Sequence, residues 1–158
     1  PDYQLNIFKE NGYKKVMGVE HSSSLVKKIK KKLKVIFFNS GLGFGTLKNF
    51  KELNNVNFSV LSWVLCNCIN PLAVLKEISN KIKINNYICI AESSRILVPF
   101  RKKLDNYLNK KHINDTHPWH FTKNSLSNLL YICNFDVVYI NYYKDSDVLI
   151  VIGKKKKK

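Results

Sequence analysis

Acidic side chains are scarce in this sequence: Asp and Glu number 11 against 27 Lys and Arg in 158 residues, a formal charge of +16. The imbalance reads as an electropositive face for nucleic acid, anionic lipid or a phosphorylated substrate, or as compositional drift that fills solvated faces with Lys. Arginine is scarcer still, with only Arg95 and Arg101. Surfaces that read bases or clamp phosphates favour the bidentate guanidinium fork, so a dedicated nucleic-acid surface is not what this composition favours. No apolar run approaches the roughly 20 residues that span a bilayer, and no signal peptide is visible. Four cysteines, Cys66, Cys68, Cys89 and Cys133, are too few and too irregular for a disulfide framework. Cys66-Asn67-Cys68 has no second Cys/His pair at a metal-ligand spacing. Reduced thiols in a cytoplasmic protein are the expectation.

What remains is ordinary globular material. A hydrophobic fraction of 45% is too high for a disordered chain, and the length suits one domain. Apolar periodicity and turn residues predict alternating elements. Helices are expected over 3–11, over 22–32 (capped by Ser22 or Ser23, with Leu25, Val26 and Ile29 inward), from Pro71 behind Asn70, over 96–111 and over 124–133 behind Thr122. A helical turn is expected over 46–53. Strands are expected over 15–19, 33–38, 57–65, 87–91, 135–142 and 147–152. The run "NFSVLSWVL" has the continuous apolar character of a strand covered on both faces. Alternation implies an α/β fold with a mostly parallel sheet flanked by helices, and the last two strands imply an antiparallel C-terminal hairpin at its edge. The domain is expected to span 1–153, followed by a disordered Lys tail over 154–158. No internal repeat is present.

One stretch near the start, "GYKKVMGVEHS" (12–22), ends a predicted strand on a carboxylate, Glu20. In open parallel sheets ligands sit beyond the carboxyl ends of the strands, and an acid ending such a strand can bind both hydroxyls of a ribose. A surface Glu, or a cap for the helix at Ser22, is the plainer alternative. Both stay open on spacing alone.

The order of pieces resembles the class I S-adenosylmethionine-dependent methyltransferases, more narrowly their small-molecule and sugar methyltransferase group. The motifs that carry the resemblance are "VMGVEHS" (16–22), "FSVLSWVLCNCINPLAVLKEI" (58–78), "YICIAE" (87–92), "HPWHFTKNSLSNLLYICNF" (117–135) and "DVLIVIG" (147–153). It implies a Rossmann-like fold, S-adenosylmethionine as cofactor and methyl transfer to a small polar acceptor, for instance a sugar, nucleotide sugar or glycan precursor. It also implies cofactor-binding roles for Glu20, His21, Asn39, Ser62 and Trp63. In this group a strand and a glycine turn precede the acid by about twenty residues, which would place them at or just before Pro1. The expectation is therefore a domain without its N-terminal strand and glycine loop. "SGLGFGT" (40–46), with Gly41, Gly43 and Gly45, is a rival glycine loop, but the strand after it ends in Ser62 and Trp63 with no acid.

"HPWHFT" (117–122) carries the most chemistry. A histidine titrating near neutrality suits removal of an acceptor's proton, and the resemblance makes His117 or His120 the candidate catalytic base. Trp119 and Phe121 are candidate walls of the acceptor pocket, Asp115 a candidate to orient an imidazole, and Arg95 a clamp for an acidic group on the substrate. The same histidines read equally as structural loop residues, and less readily, with His112, as metal ligands. The runner-up to an enzyme is a degenerate, non-catalytic methyltransferase-like module that binds a partner or anionic polymer through its Lys-rich faces.

Overall fold

The computed structural model describes residues 2–32, 36–39, 46–93, 118–141 and 148–157. The predicted helix over 96–111 and the loop Gly41–Gly45 lie outside them. The chain divides into two compact units, Pro1–Leu42 and Gly43–Lys158.

The first unit comprises α1 (Asp2–Glu10), β1 (Met17–Glu20), α2 (Ser23–Lys32) and β2 (Ile36–Asn39). Helix α1 stops at Gly12, whose φ of 84° is the left-handed conformation that closes helices at little cost for glycine. There Gly12 N–H donates to the Lys9 carbonyl at 3.0 Å. On α2 the Ser22 hydroxyl accepts from Leu25 N–H, as the Ser-rich start predicts. Val26 and Ile29 are buried with Leu5, and Val16 packs against them. Leu25, expected inward, is instead exposed: a ten-residue helix with so many lysines keeps only a narrow apolar stripe, and Leu25 stands outside it. Strands β1 and β2 pair in parallel, which sets Glu20 directly opposite Asn39.

The second unit opens with 3-10 turns over Thr46–Asn49 and Lys51–Leu53, then β3 (Val56–Ser62), a 3-10 turn (Leu65–Asn67), α3 (Pro71–Lys81), β4 (Ile82–Ser93), α4 (Lys123–Ile132), β5 (Phe135–Ile140) and β6 (Val148–Lys155). Asn70 caps α3 through its side chain and Pro71 takes the first helical position, where its missing N–H costs nothing. Thr122 and Ser125 form a reciprocal capping box on α4. The sheet runs β3-β4-β6-β5; β3 and β4 are parallel, and β6 is antiparallel to both β4 and β5. The fold is the expected α/β arrangement, with its antiparallel hairpin at one edge.

Strand β4 is longer than its apolar run. Between Ile82 and Tyr87 it bulges against β3, with Asn85 at a φ of 63°, a conformation Asn tolerates better than most residues. The core holds Leu65, Leu75, Ile88, Ile90, Leu126, Leu130, Phe135, Leu149 and Val151, all fully buried.

The expected disordered tail is corrected. Strand β6 continues through Lys155, alternating between partly and fully buried positions. Lys155 falls on the buried face, where its ammonium meets the Ser79 hydroxyl and the Cys133 carbonyl, and lies 4.9 Å from the centre of the Phe135 ring. Ser79 donates to the same carbonyl at 2.7 Å. That carbonyl ends α4, where a cation opposes the negative end of the helix dipole. Lys156 pairs with Asp136 at 2.8 Å. A ladder partner and a helix end thus order lysines that composition assigns to solvent.

Gly153 sets how closely α4 and β5 approach β6. A Cβ there would stand 3.0 Å from Phe135 Cβ and 3.3 Å from Ile88 Cγ2, tighter than ordinary van der Waals contact. Gly153→Ala is expected to lower the unfolding free energy by about 1–3 kcal/mol through overpacking. Urea denaturation checks this; an unchanged midpoint would show that the layer relaxes freely.

Candidate functional site

Parallel pairs place their ligand-binding ends where the strands finish. In the first unit that end carries Glu20 and Asn39 side by side. Glu20 Oε1 accepts from Ser22 N–H at 3.0 Å and lies 3.0 Å from His21 Nδ1. The carboxylate is mostly sheltered while His21 is exposed. Both sequence readings of Glu20 therefore survive: it braces the turn into α2, and it stands at the carboxyl end of a parallel strand.

In the second unit the ends of β3 and β4 are joined through a residue that sequence reasoning gave no role. Glu92 is wholly buried, and its Oε1 accepts from Val64 N–H at 3.1 Å and Leu65 N–H at 2.7 Å. Its Oε2 receives no hydrogen bond among the described residues. Hydrogen bonds to a charged acceptor contribute about 1.5–3 kcal/mol each, while removing a carboxylate from water costs several. Here burial wins: it pushes the Glu92 carboxyl above its ordinary value, although contacts from Cys66, Leu65 and Val64 pull the other way. The signal that would have found Glu92 is the one that singled out Glu20, an acid closing an apolar run in an acid-poor chain.

The turn that Glu92 grips begins at Trp63, whose φ is 52°. For a bulky side chain this left-handed conformation costs roughly 1–2 kcal/mol, and such outliers gather at functional sites. Trp63 N–H donates to the Ala91 carbonyl at 2.8 Å, and the Trp63 carbonyl accepts from Asn67 Nδ2 at 2.9 Å. On the turn's other side the loop before α4 is tied down. Trp119 N–H donates to the Cys66 carbonyl at 3.4 Å, and Trp119 Nε1 donates to the Cys68 carbonyl at 2.8 Å.

The structure therefore brings Trp63 and Trp119 to one turn, with Ser62 at the end of β3 and His120 exposed beside Trp119. Phe121, expected as a pocket wall, is 4% exposed and belongs to the core; it stands immediately before Thr122, the cap of α4. His117, Arg95, Asp115 and His112 lie outside the described residues. Cys66, Cys68, Cys89 and Cys133 are free thiols. Burial, and secondarily Glu92, raises the Cys68 pKa, which keeps that thiol protonated and a poor nucleophile.

Because burial holds the Glu92 carboxyl above the ordinary value of 4.5, the folded protein binds more protons than the unfolded chain from about there upward. Glu92 therefore subtracts stability progressively as pH rises through its folded-state value. Glu92→Gln keeps an oxygen for the Val64 and Leu65 N–H groups and removes the charge. Its unfolding free energy, from urea melts at a series of pH values, is expected to lack that fall and to equal or exceed the parent's at neutral pH. A variant with the same pH slope as the parent would show that Glu92 is not its source.

No protein-family model matches the sequence, nor does any curated protein sequence. Solved structures do match. An S-adenosylmethionine-dependent methyltransferase from Mesorhizobium loti superposes with a TM-score of 0.71 at 10% identity, over 97% of this chain and 86% of that one. A Listeria monocytogenes chain assigned to the same class gives 0.74 at 14% identity, over 98% and 86%. A Thermotoga maritima S-adenosylmethionine-dependent methyltransferase, named a possible histamine N-methyltransferase, gives 0.65 at 21% identity, over 89% and 72%. The chain has the Rossmann-like fold of S-adenosylmethionine-dependent methyltransferases.

Proposed function

We propose that this protein transfers a methyl group from S-adenosylmethionine to a small acceptor. The observation that carries the reading is Glu20, a sheltered carboxylate at the carboxyl end of a parallel strand in a methyltransferase fold, with Asn39 ending the strand beside it. A carboxylate offers about four lone-pair positions, so a side chain already steadied by Ser22 and His21 suits the paired hydroxyls of a ribose. His21 and Asn39 flank it, and Ser62 and Trp63 keep the cofactor-lining role that the sequence resemblance gives them.

When bound, the cofactor supplies an activated methyl on a sulfonium sulfur. The protein's task is then to hold an acceptor in line with that methyl and, where the acceptor carries a proton, to take it. His120, exposed in the loop before α4, is a base for that step, as is His117. Arg95 is assigned to an acidic group on the acceptor.

Calorimetric titration with S-adenosylmethionine tests the reading. The parent is expected to bind, and Glu20→Gln to bind about 10–100-fold more weakly, the loss of one or two charge-assisted hydrogen bonds, with an unchanged melting temperature. Absence of binding by the parent, together with salt-dependent binding to nucleic acid, would overturn it in favour of a non-catalytic polyanion-binding module. Once an acceptor is identified, full turnover by both His117→Ala and His120→Ala would remove histidine as the base.

A further inference from the structure

The second unit contains a groove of about 640 Å³ between α3 and the 3-10 turns Thr46–Asn49 and Lys51–Leu53. None of its lining residues has been given a role in binding cofactor or acceptor. The volume suits a small molecule. One wall is a single face of α3: Leu72, Lys76 and Asn80 stand four residues apart, each followed by a second lining residue, Ala73, Glu77 and Lys81. The other wall carries Lys48 and Asn54, and Asn70 lines the end where α3 begins. Two hydrogen bonds join the walls: Lys81 Nζ donates to Asn54 Oδ1 at 2.8 Å and to the Phe50 carbonyl at 3.4 Å.

These bonds decide which polar groups are left for a ligand. Asn54 spends its amide oxygen on Lys81, and Asn70 spends its own on Ala73 N–H at 3.0 Å. What each asparagine has left is its pair of N–H donors. Lysine has donors and no acceptor. Asn80 is exposed and serves either way. The one acid in the lining, Glu77, is 8% exposed and offsets one of the three lysines, which leaves a formal balance of +2. A matching ligand is therefore rich in acceptors and carries two negative charges. A carboxylate brings one charge, and a phosphodiester one per phosphate. A phosphate monoester brings about −1.5 to −2 at neutral pH, with three acceptor oxygens. Leu72 and Ala73, half-buried beside Asn70, add apolar carbon for an organic part.

We propose that this groove binds a small phosphate monoester. The site lies wholly within the second unit and does not depend on the methyl-transfer reading. Lysine holds phosphate as a point charge, without the bidentate fork of arginine, so selection is by charge and size, and affinity falls as salt rises.

Calorimetric titration of the full chain with phenyl phosphate, inorganic phosphate and benzoate tests the proposal. Phenyl phosphate shares its ring with benzoate and its charge with inorganic phosphate. It is expected to bind most tightly, with benzoate about tenfold weaker or more. The double variant Lys48→Gln/Lys76→Gln is expected to weaken phenyl phosphate about tenfold at an unchanged melting temperature. Lys27→Gln/Lys28→Gln removes the same charge from the exposed face of α2 and is expected to leave binding unchanged. Asn54→Asp keeps an acceptor for Lys81 but loses the N–H donors, so it should weaken binding without melting lower. Equal affinity for benzoate and phenyl phosphate would overturn the proposal, as would no binding by any of the three. So would an equal loss in the two lysine pairs, the signature of general attraction between a basic protein and any anion.

Discussion

A carboxylate removed from water at the end of β4 dictates what the neighbouring backbone must do. Glu92 has few donors within reach, and two of them are the N–H groups of Val64 and Leu65. To present both to one oxygen, the chain leaving β3 must turn at once, and Trp63 makes that turn in the left-handed region. With the N–H groups facing Glu92, carbonyls of the next residues are left for other partners, and Trp119 takes those of Cys66 and Cys68. The turn is thus gripped from two sides by groups of opposite hydrogen-bonding character. One buried charge accounts for the strain at Trp63 and for where the loop before α4 comes to rest.

A different constraint governs β6, the strand beside β4. Strand β6 is paired on both sides, so every second residue must enter the core beneath α3 or α4. Leu149 and Val151 do so as ordinary apolar residues; Gly153 does so by offering no side chain where Phe135, Ile88 and Leu130 converge. Lys155 does so only because Ser79 and the last turn of α4 receive its ammonium. A lysine at a buried position needs such partners, since an ammonium without them costs several kcal/mol. The core thereby extends into a segment whose composition signals solvent.

The difference between what the sequence revealed and what it hid follows from the range of the interactions concerned. Caps and helix starts at Asn70-Pro71 and Thr122 are local chemistry, written within four residues, and they stand where the pattern places them. The parallel pairs and closing hairpin follow from alternation and length. Lys155 and Gly153 are defined by partners 20 or more residues away (Cys133, Ser79, Ile88), and nothing adjacent in sequence announces them; Glu92 has a local signature, but its partner Val64 is equally distant. Leu25 failed for a smaller reason: helical periodicity assigns a face, and a narrow apolar stripe leaves its margin in water. Trp63 was legible as a residue at a strand end but not as a strained one, because φ is set by the turn that Glu92 imposes.

Glu20 and Glu92 share one sequence signature, an acid that closes an apolar run in a chain poor in acids, and the fold uses them in different ways. Glu20 remains partly solvated and is braced within its own loop, by Ser22 N–H and beside His21, at the carboxyl end of a parallel strand. Glu92 is enclosed, its pKa raised by burial, and its strongest partners are backbone groups of another strand's turn. The first keeps part of its surface in water; burial of the second makes its charged form costly to the fold. Solvation, which sequence does not display, separates the two carboxylates. Within its own unit, Glu92 fixes the turn after β3, which carries Trp63 and receives the two hydrogen bonds of Trp119.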